Sequence, residues 1–520
     1  MTAASQPRAP WLAVRTASIL QMTALQAGLL ICLFSITPLF VVELPPLVDL
    51  YGHLGRYALQ TDLANRPEIQ PYYSFEWRLI GNLGADLLIQ ALHGLLGLEA
   101  SVRATVIVTQ FLGAAAILLL SHTVHRRITP FAVASLPLLY GFPFNYGFLN
   151  FALGMALAML AFCAWLRLRQ SLRAREARLW IGLASIAIWV CHTYGWAFLG
   201  LLCGSTLLAE VLADRDRIWP AAKRIVSQCW PLLLPLVPML IWRADSTGSE
   251  TGQWELHLKL LWLLSPLRTR WFMIDMLSTV VLWVLLYAAI RSKSLRFDPR
   301  LGLASLLCLA SFVILPMCVF GSMFADMRLV PYVLIVALLA VSTSRLGTIA
   351  RRVLTVIAFG FFVARTLTTG MAYIEQDEEV ASVLPAIDAM PRGARVAFLV
   401  VKPCKVPWEL PVLDHVAGVA LARRSIYVND QWQQPGVNLL KVHYPAAAPF
   451  TEDPSQMVLP DGCTNPMHPK LSPTIASLPL DAFTHVWIIG EIPAARPDIP
   501  GLVPVPMAGK GLLYSVRTGD

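Results

Sequence analysis

Apolar residues in this chain come in runs long enough to cross a lipid bilayer, and that limits its fold more than any motif does. A membrane-spanning helix needs roughly 17 to 25 mostly apolar residues. Such runs fall at about 18–42, 103–121, 129–144, 148–166, 179–194, 196–213, 226–242, 272–290, 301–320, 329–343 and 353–371, so about eleven spans are expected. With 56% hydrophobic and only 14% charged residues over 520 positions, the chain is too apolar for an ordinary soluble globule. The runs at 129–144 and 179–194 are the weakest, because proline, glycine and histidine interrupt them.

The net charge of +9 reports topology rather than a nucleic-acid partner. The basic residues cluster between apolar runs: Arg126 and Arg127, then Arg167 to Arg178, Arg215 to Arg224, Arg291 to Arg300 and Arg345 to Arg352. With a cytoplasmic N-terminus all of these fall on one side, as the positive-inside bias requires. The basic start leads into a long apolar run with no evident small-residue cleavage site, which reads as an uncleaved first span. The expected location is the cell inner (plasma) membrane, multi-pass. The external face then receives the loop 43–102, the aromatic turn Phe142–Gly147, the corner His192–Gly195, the loop 243–270, the segment 321–328 and everything after 375.

The first external loop opens on Pro45-Pro46-Leu47-Val48-Asp49-Leu50-Tyr51-Gly52-His53-Leu54-Gly55-Arg56. If the residues after the prolines are helical, Asp49, His53 and Arg56 share one face. Polar clusters at a membrane surface are candidate sites, and the alternative is a solvated helix with its charges among headgroups. Further on, 77–98 is amphipathic and expected as a surface helix holding Asn82, Asp86 and His93, with Asn82 and Asp86 four apart on one face. That pair either satisfies itself or meets a substrate.

From about 375 the composition changes to proline-rich sequence with short β-type runs at 395–401, 425–428, 485–489 and 512–516 and a helical stretch at 410–422. The expected division is a transmembrane part, 1–374, followed by a small external α/β domain, 375–520. Seven of the nine cysteines lie in apolar spans, where a thiol behaves as a small hydrophobe. Cys404 and Cys463 lack the spacing of a zinc site, which leaves a disulfide or two free thiols; an oxidising external compartment favours the disulfide.

No phosphate-binding Gly-x-x-x-x-Gly-Lys-Ser/Thr loop, His-Glu-x-x-His zinc helix or Gly-x-Ser-x-Gly elbow occurs, so ATP-driven transport and the common hydrolase chemistries lose support. Asp214-x-Asp216 lies between arginines in a cytoplasmic loop and reads as a solvated charge run.

A first span, then an external loop with Asp49 and His53, Trp77, and Asn82 with Asp86, resembles the GT-C superfamily of membrane glycosyltransferases, and within it a bacterial group of GT-C-like membrane proteins. The turn Phe144-Asn145-Tyr146-Gly147-Phe148-Leu149-Asn150-Phe151 and the later Asp326-x-Arg328 match that group as well. The resemblance covers about 18–371. It implies a mostly α, polytopic GT-C-like fold with surface helices in the first external loop. It also implies an enzyme, a hexosyl- or pentosyltransferase, that moves a sugar from a polyprenyl-phosphate-linked donor to a glycan, lipid or protein acceptor at the external face and inverts the anomeric centre. Membrane lipids are the other expected partners. No cofactor is implied: the single acid at Asp49 departs from the metal-using branches, so a divalent metal stays open without support from the residues.

Such chemistry needs a carboxylate as general base at the acceptor hydroxyl, for which Asp49 is the candidate, with His53 beside it. It also needs cations or donors where charge grows on the leaving phosphate. Arg56, Asn82, Asp86, His192, Tyr194, Asp326 and Arg328 are the candidate substrate-binding residues. An Asp326–Arg328 pair that only caps a helix competes with phosphate binding by Arg328. Arg243, Lys259 and Arg268 either reach the phosphate or snorkel to headgroups. The rival readings are a lipid or solute transporter or flippase, and a structural membrane protein with an external docking domain. Spans almost free of charge, with Asp275 and Arg365 the main exceptions, count against the transporter.

Overall fold

The computed structural model describes residues 25–171, 173–215, 217–245, 251–319, 321–434, 436–464, 467–492 and 499–517, with the side chains of 242–245 left aside. The protein is mostly helical, and five of the described helices are long and apolar enough to cross a membrane: Leu98–His125, Leu149–Gln170, Thr193–Asp214, Phe272–Arg291 and Thr348–Ala389. The last of these combines the α-helix Thr348–Val383 with the 3₁₀ turns Leu384–Ala389.

The other expected spans are shorter or broken. The stretch 129–144 divides into Pro130–Ser135, a 3₁₀ segment Leu136–Tyr140 and Phe142–Tyr146. Pro137 and Pro143 lack the N–H that a continuous helix needs, and each opens a new short element. The stretch 226–242 likewise becomes Ile218–Cys229, the 3₁₀ turn Trp230–Leu233 and Leu236–Asp245, with Pro231 and Pro235 at the breaks. Around 301–320 and 329–343 the helices are Pro299–Ile314 and Val330–Leu339, and the expected span at 179–194 is Ala174–Cys191.

In the first loop, Leu50–Asp62 is a helix. The amphipathic helix expected over 77–98 is shorter, Gly84–Leu96, and the transmembrane helix starts at once at Leu98 after Gly97 turns the chain with φ +79°. Upstream, Tyr73–Phe75 forms an antiparallel pair with Leu440–Val442, which sequence patterning does not reveal because the two partners are some 370 positions apart.

The C-terminal sheet has six described strands. Arg395–Val401 runs parallel to Tyr427–Val428 and Met457–Val458 on one side and to His485–Gly490 on the other. Leu512–Val516 and Leu502–Pro504 complete it in antiparallel register. The expected helix 410–422 is Ala417–Arg424; before it, Leu410 to Val416 wind through tight turns that begin at Pro411. Cys404 and Cys463 form a disulfide, with their Cα atoms 5.4 Å apart.

Two devices hold this sheet unit to the helices. Helix Ala417–Arg424 crosses Leu50–Asp62 so closely that a Cβ on Gly418 would meet the Tyr51 carbonyl oxygen. The second is Asp275. Its fully buried carboxylate accepts from Thr269 N (2.7 Å) and Oγ1 (2.8 Å), from Arg365 (3.1 Å) and from the Trp408 indole (2.9 Å). The two charged exceptions within the spans therefore pair with each other in a structural network. Removing one partner of a buried pair strands the other, at about 3–5 kcal/mol. Asp275→Ala is accordingly expected to lower the melting temperature of the detergent-purified protein clearly; an unchanged melting curve would contradict this role.

Candidate functional site

Asp49 stands at the N-terminus of helix Leu50–Asp62, yet its carboxylate makes no capping hydrogen bond. The backbone holds it instead. Val48 and Asp49 donate to the carbonyls of Asn145 (3.1 Å) and Tyr146 (2.9 Å), and Asp49 O receives His53 N (2.9 Å). Gly147 makes this approach feasible, since it has φ +108° and a Cβ there would lie 2.8 Å from the Asp49 backbone nitrogen. The aromatic turn is thus the support on which Asp49 rests.

The carboxylate faces a cavity of about 350 Å³ whose lining includes Asp49, His53, Asn82, His192, Tyr194 and Arg328. Six of the nine residues singled out from the sequence meet there, drawn from four separate stretches of chain. Arg56, Asp86 and Asp326 do not line it. Arg56 forms a buried ion pair with Asp86, and Asp86 also accepts from Asn150 (3.1 Å). Asn82 and Asp86 do not share a helix face, because the helix begins at Gly84; Asn82 precedes it and donates to Val437 O (2.9 Å).

Asp326 does not pair with Arg328. Its carboxylate accepts from buried Lys259 (2.8 Å) and from Met327 N (2.8 Å). Lys259 is further fixed by the carbonyls of Phe312 (2.9 Å) and Leu315 (2.7 Å). Arg328 is left with no carboxylate in ion-pair range among the described residues. It donates to Ser322 Oγ (3.0 Å) and Met323 O (2.9 Å), lies 3.8 Å over the Phe148 ring, and keeps Nε buried without a partner. The Tyr194 hydroxyl, also on the cavity, is likewise buried and unpartnered. His192 spends Nδ1 on Tyr194 N (3.0 Å) as the cap of helix Thr193–Asp214. Arg268 is bound to the carbonyls of Trp408 (2.6 Å) and Pro407 (2.8 Å), and the Arg243 side chain lies outside the described residues.

The C-terminal unit supplies cavity residues that sequence reasoning missed: His415, Trp432, Gln434 and Asp453. His415 Nε2 is 4.0 Å from Asp49 Oδ1, and the Trp432 ring packs on both His415 (4.7 Å) and His53 (5.0 Å). Nothing in the spacing of these residues relates them to Asp49.

Burial pushes the Asp49 carboxyl up to about 7; His415 and Arg328 pull against this, and Asp453 and Asp414 add to it. For His415, burial would lower the imidazole, but Asp453, Asp49, Asp430 and Asp414 outweigh it and leave it raised. Burial, then the Arg56 guanidinium, whose Nε points at His53 Nδ1 from 3.4 Å, hold His53 well below the ordinary range. His53, held low, and His415, raised, thus flank a carboxylate that titrates near neutrality. Among the described residues no cluster of three His, Cys, Asp or Glu side chains is placed to hold a metal ion.

No known family model matches the chain, and no curated protein matches it. Among solved structures it is similar to ArnT from Cupriavidus metallidurans, in crystal structures of the apo state (TM-score 0.49) and bound to undecaprenyl phosphate (TM-score 0.45). Each is 12% identical, over 96% of this chain and 98% of that one. Likeness at this level assigns neither substrate nor residue roles.

Because Gly147 both adopts a left-handed φ and touches Asp49, Gly147→Ala should cost at least the roughly 1–2 kcal/mol of that conformation and displace Asp49. A Gly147→Ala protein that melts like the wild type would remove this account of how Asp49 is held.

Proposed function

We propose that the protein is an inner-membrane glycosyltransferase that moves a sugar from a polyprenyl-phosphate-type donor to an acceptor at the external face. The reading includes about eleven spans, a cytoplasmic N-terminus and an external unit over 375–520. The observation that carries it is the pairing, across one cavity, of a carboxylate titrating near 7 with an arginine that has no carboxylate partner among the described residues.

The chemistry follows from these two groups. Asp49 takes the proton of the acceptor hydroxyl as its oxygen bonds to the anomeric carbon. On the opposite face the bond from that carbon to the phosphate oxygen breaks, and the electron pair leaves with the polyprenyl phosphate. Arg328, fixed by Ser322, Met323 and Phe148, meets the charge that grows there, and the Tyr194 hydroxyl is a second donor for it. His415 pulls the Asp49 carboxyl down against the upward push of its burial, and His53 and Asn82 also line the cavity. Asp326, two residues before Arg328, is occupied by Lys259.

Asp49→Asn should insert and fold normally while losing about 10²–10⁴ in transfer rate, with the lipid-linked sugar building up in cells; full transfer by this variant would sink the assignment. Arg328→Ala should weaken binding of undecaprenyl phosphate, measured by titration of purified protein, and unchanged affinity would detach Arg328 from the phosphate. The base must be ionised to act, so transfer should fall as pH drops through about 7 rather than near the ordinary aspartate value. His415 lowers the Asp49 pKa, so His415→Ala should move that acid limb to higher pH. A limb that stays in place would separate His415 from the base.

A further inference from the structure

A second, wider groove of about 790 Å³ adjoins the cavity, with Arg78, Leu79, Pro238, Ile241, Asn438 and Lys441 among its lining residues. The two spaces are neighbours. Gly436 lines both, and on either side of it the same short stretches divide between them: Ile80 and Asn438 face the groove, Gly81, Asn82 and Val437 the cavity. At this boundary Asn82 donates a hydrogen bond to Val437 O (2.9 Å).

The groove joins the cavity through the segment that bears on the base. Trp432, packed on His53 and His415, directly precedes Gln433, which lines the groove. Arg328, by contrast, is held by Ser322, Met323 and Phe148, none of which lines it. In a displacement at the anomeric carbon the attacking hydroxyl and the departing phosphate occupy opposite faces, so a groove entering beside the base delivers the acceptor.

Its walls differ in chemistry. Pro238 and Ile241 belong to the helix Leu236–Asp245, whose Val237, Leu240 and Ile241 are 63%, 72% and 70% exposed, a face suited to lipid. The facing walls from the first loop and the C-terminal unit add Glu76, Arg78, Gln433, Asn438 and Lys441. An occupant with an apolar body against the helix and a hydroxyl-bearing polar head toward those side chains matches both.

We propose that this groove is the acceptor port and that the acceptor is a hydroxyl-bearing amphiphile of the membrane, its head entering the cavity past Asn82 and Val437. The proposal rests on the glycosyltransferase reading above. To test it, a benzophenone amino acid replaces Leu79, 58% exposed on the groove, in the full-length protein in cells, with the same substitution at Val503 on the far edge of the sheet as control. After irradiation the adduct mass is read on the digested protein. An adduct carrying a hydroxylated polar-headed lipid at Leu79 and absent at Val503 is expected, and it should persist when Asp49→Asn is introduced, because docking does not need the base. A polyprenyl adduct, a polypeptide adduct, or no adduct above the control would overturn the proposal. Transfer by the Asp49→Asn variant is measured in the same cells; full transfer there would defeat the glycosyltransferase reading whatever mass appears at Leu79.

Discussion

Three buried cations of this protein are each neutralised by a buried carboxylate, whereas the Arg328 guanidinium on the cavity has no such partner among the described residues. Arg56 with Asp86, Lys259 with Asp326 and Arg365 with Asp275 are each almost wholly buried and each also hydrogen-bonded to other groups, as a charge away from water must be. Arg328 is 7% exposed and has only a hydroxyl, a carbonyl and a ring face. A buried guanidinium held in that way favours an anion, and Asp326, two residues earlier, is taken up by Lys259.

The same economy accounts for Asp49. Its backbone is tied to the aromatic turn and to helix Leu50–Asp62, so its position does not depend on its carboxylate, which is free to titrate. Burial raises it and His415 restrains the rise; that balance requires the C-terminal unit to sit close. The close fit comes from Gly418 against Tyr51 and from Trp408 bonded to Asp275, two contacts at opposite ends of the segment that also carries Asp414 and His415. The C-terminal unit thus contributes to the environment of the base as well as covering it.

Read alone, the sequence determined the membrane class, the first-loop cluster and the short strands near the end. These follow from local rules: hydrocarbon thickness sets the length of a span, and side-chain period marks a strand. Asp49 and His53 are four apart on a helix start and could be read as a pair for the same reason. The broken stretch 129–144 was legible only as a weakness, although its prolines are what turn the chain beneath Asp49.

Tertiary structure decided the partners. Asp326 lies two residues from Arg328 but pairs with Lys259, 67 positions away, since the helix start points the carboxylate inward to a buried ammonium. His415, Trp432 and Asp453 reach a base more than 360 positions earlier in the chain by docking of a separate sheet, and no periodicity encodes a contact between two elements that each fold on their own local pattern. Which charges remain unpaired is therefore a property of the packed molecule: it depends on every neighbour a side chain could have reached, and the sequence names only the nearest ones.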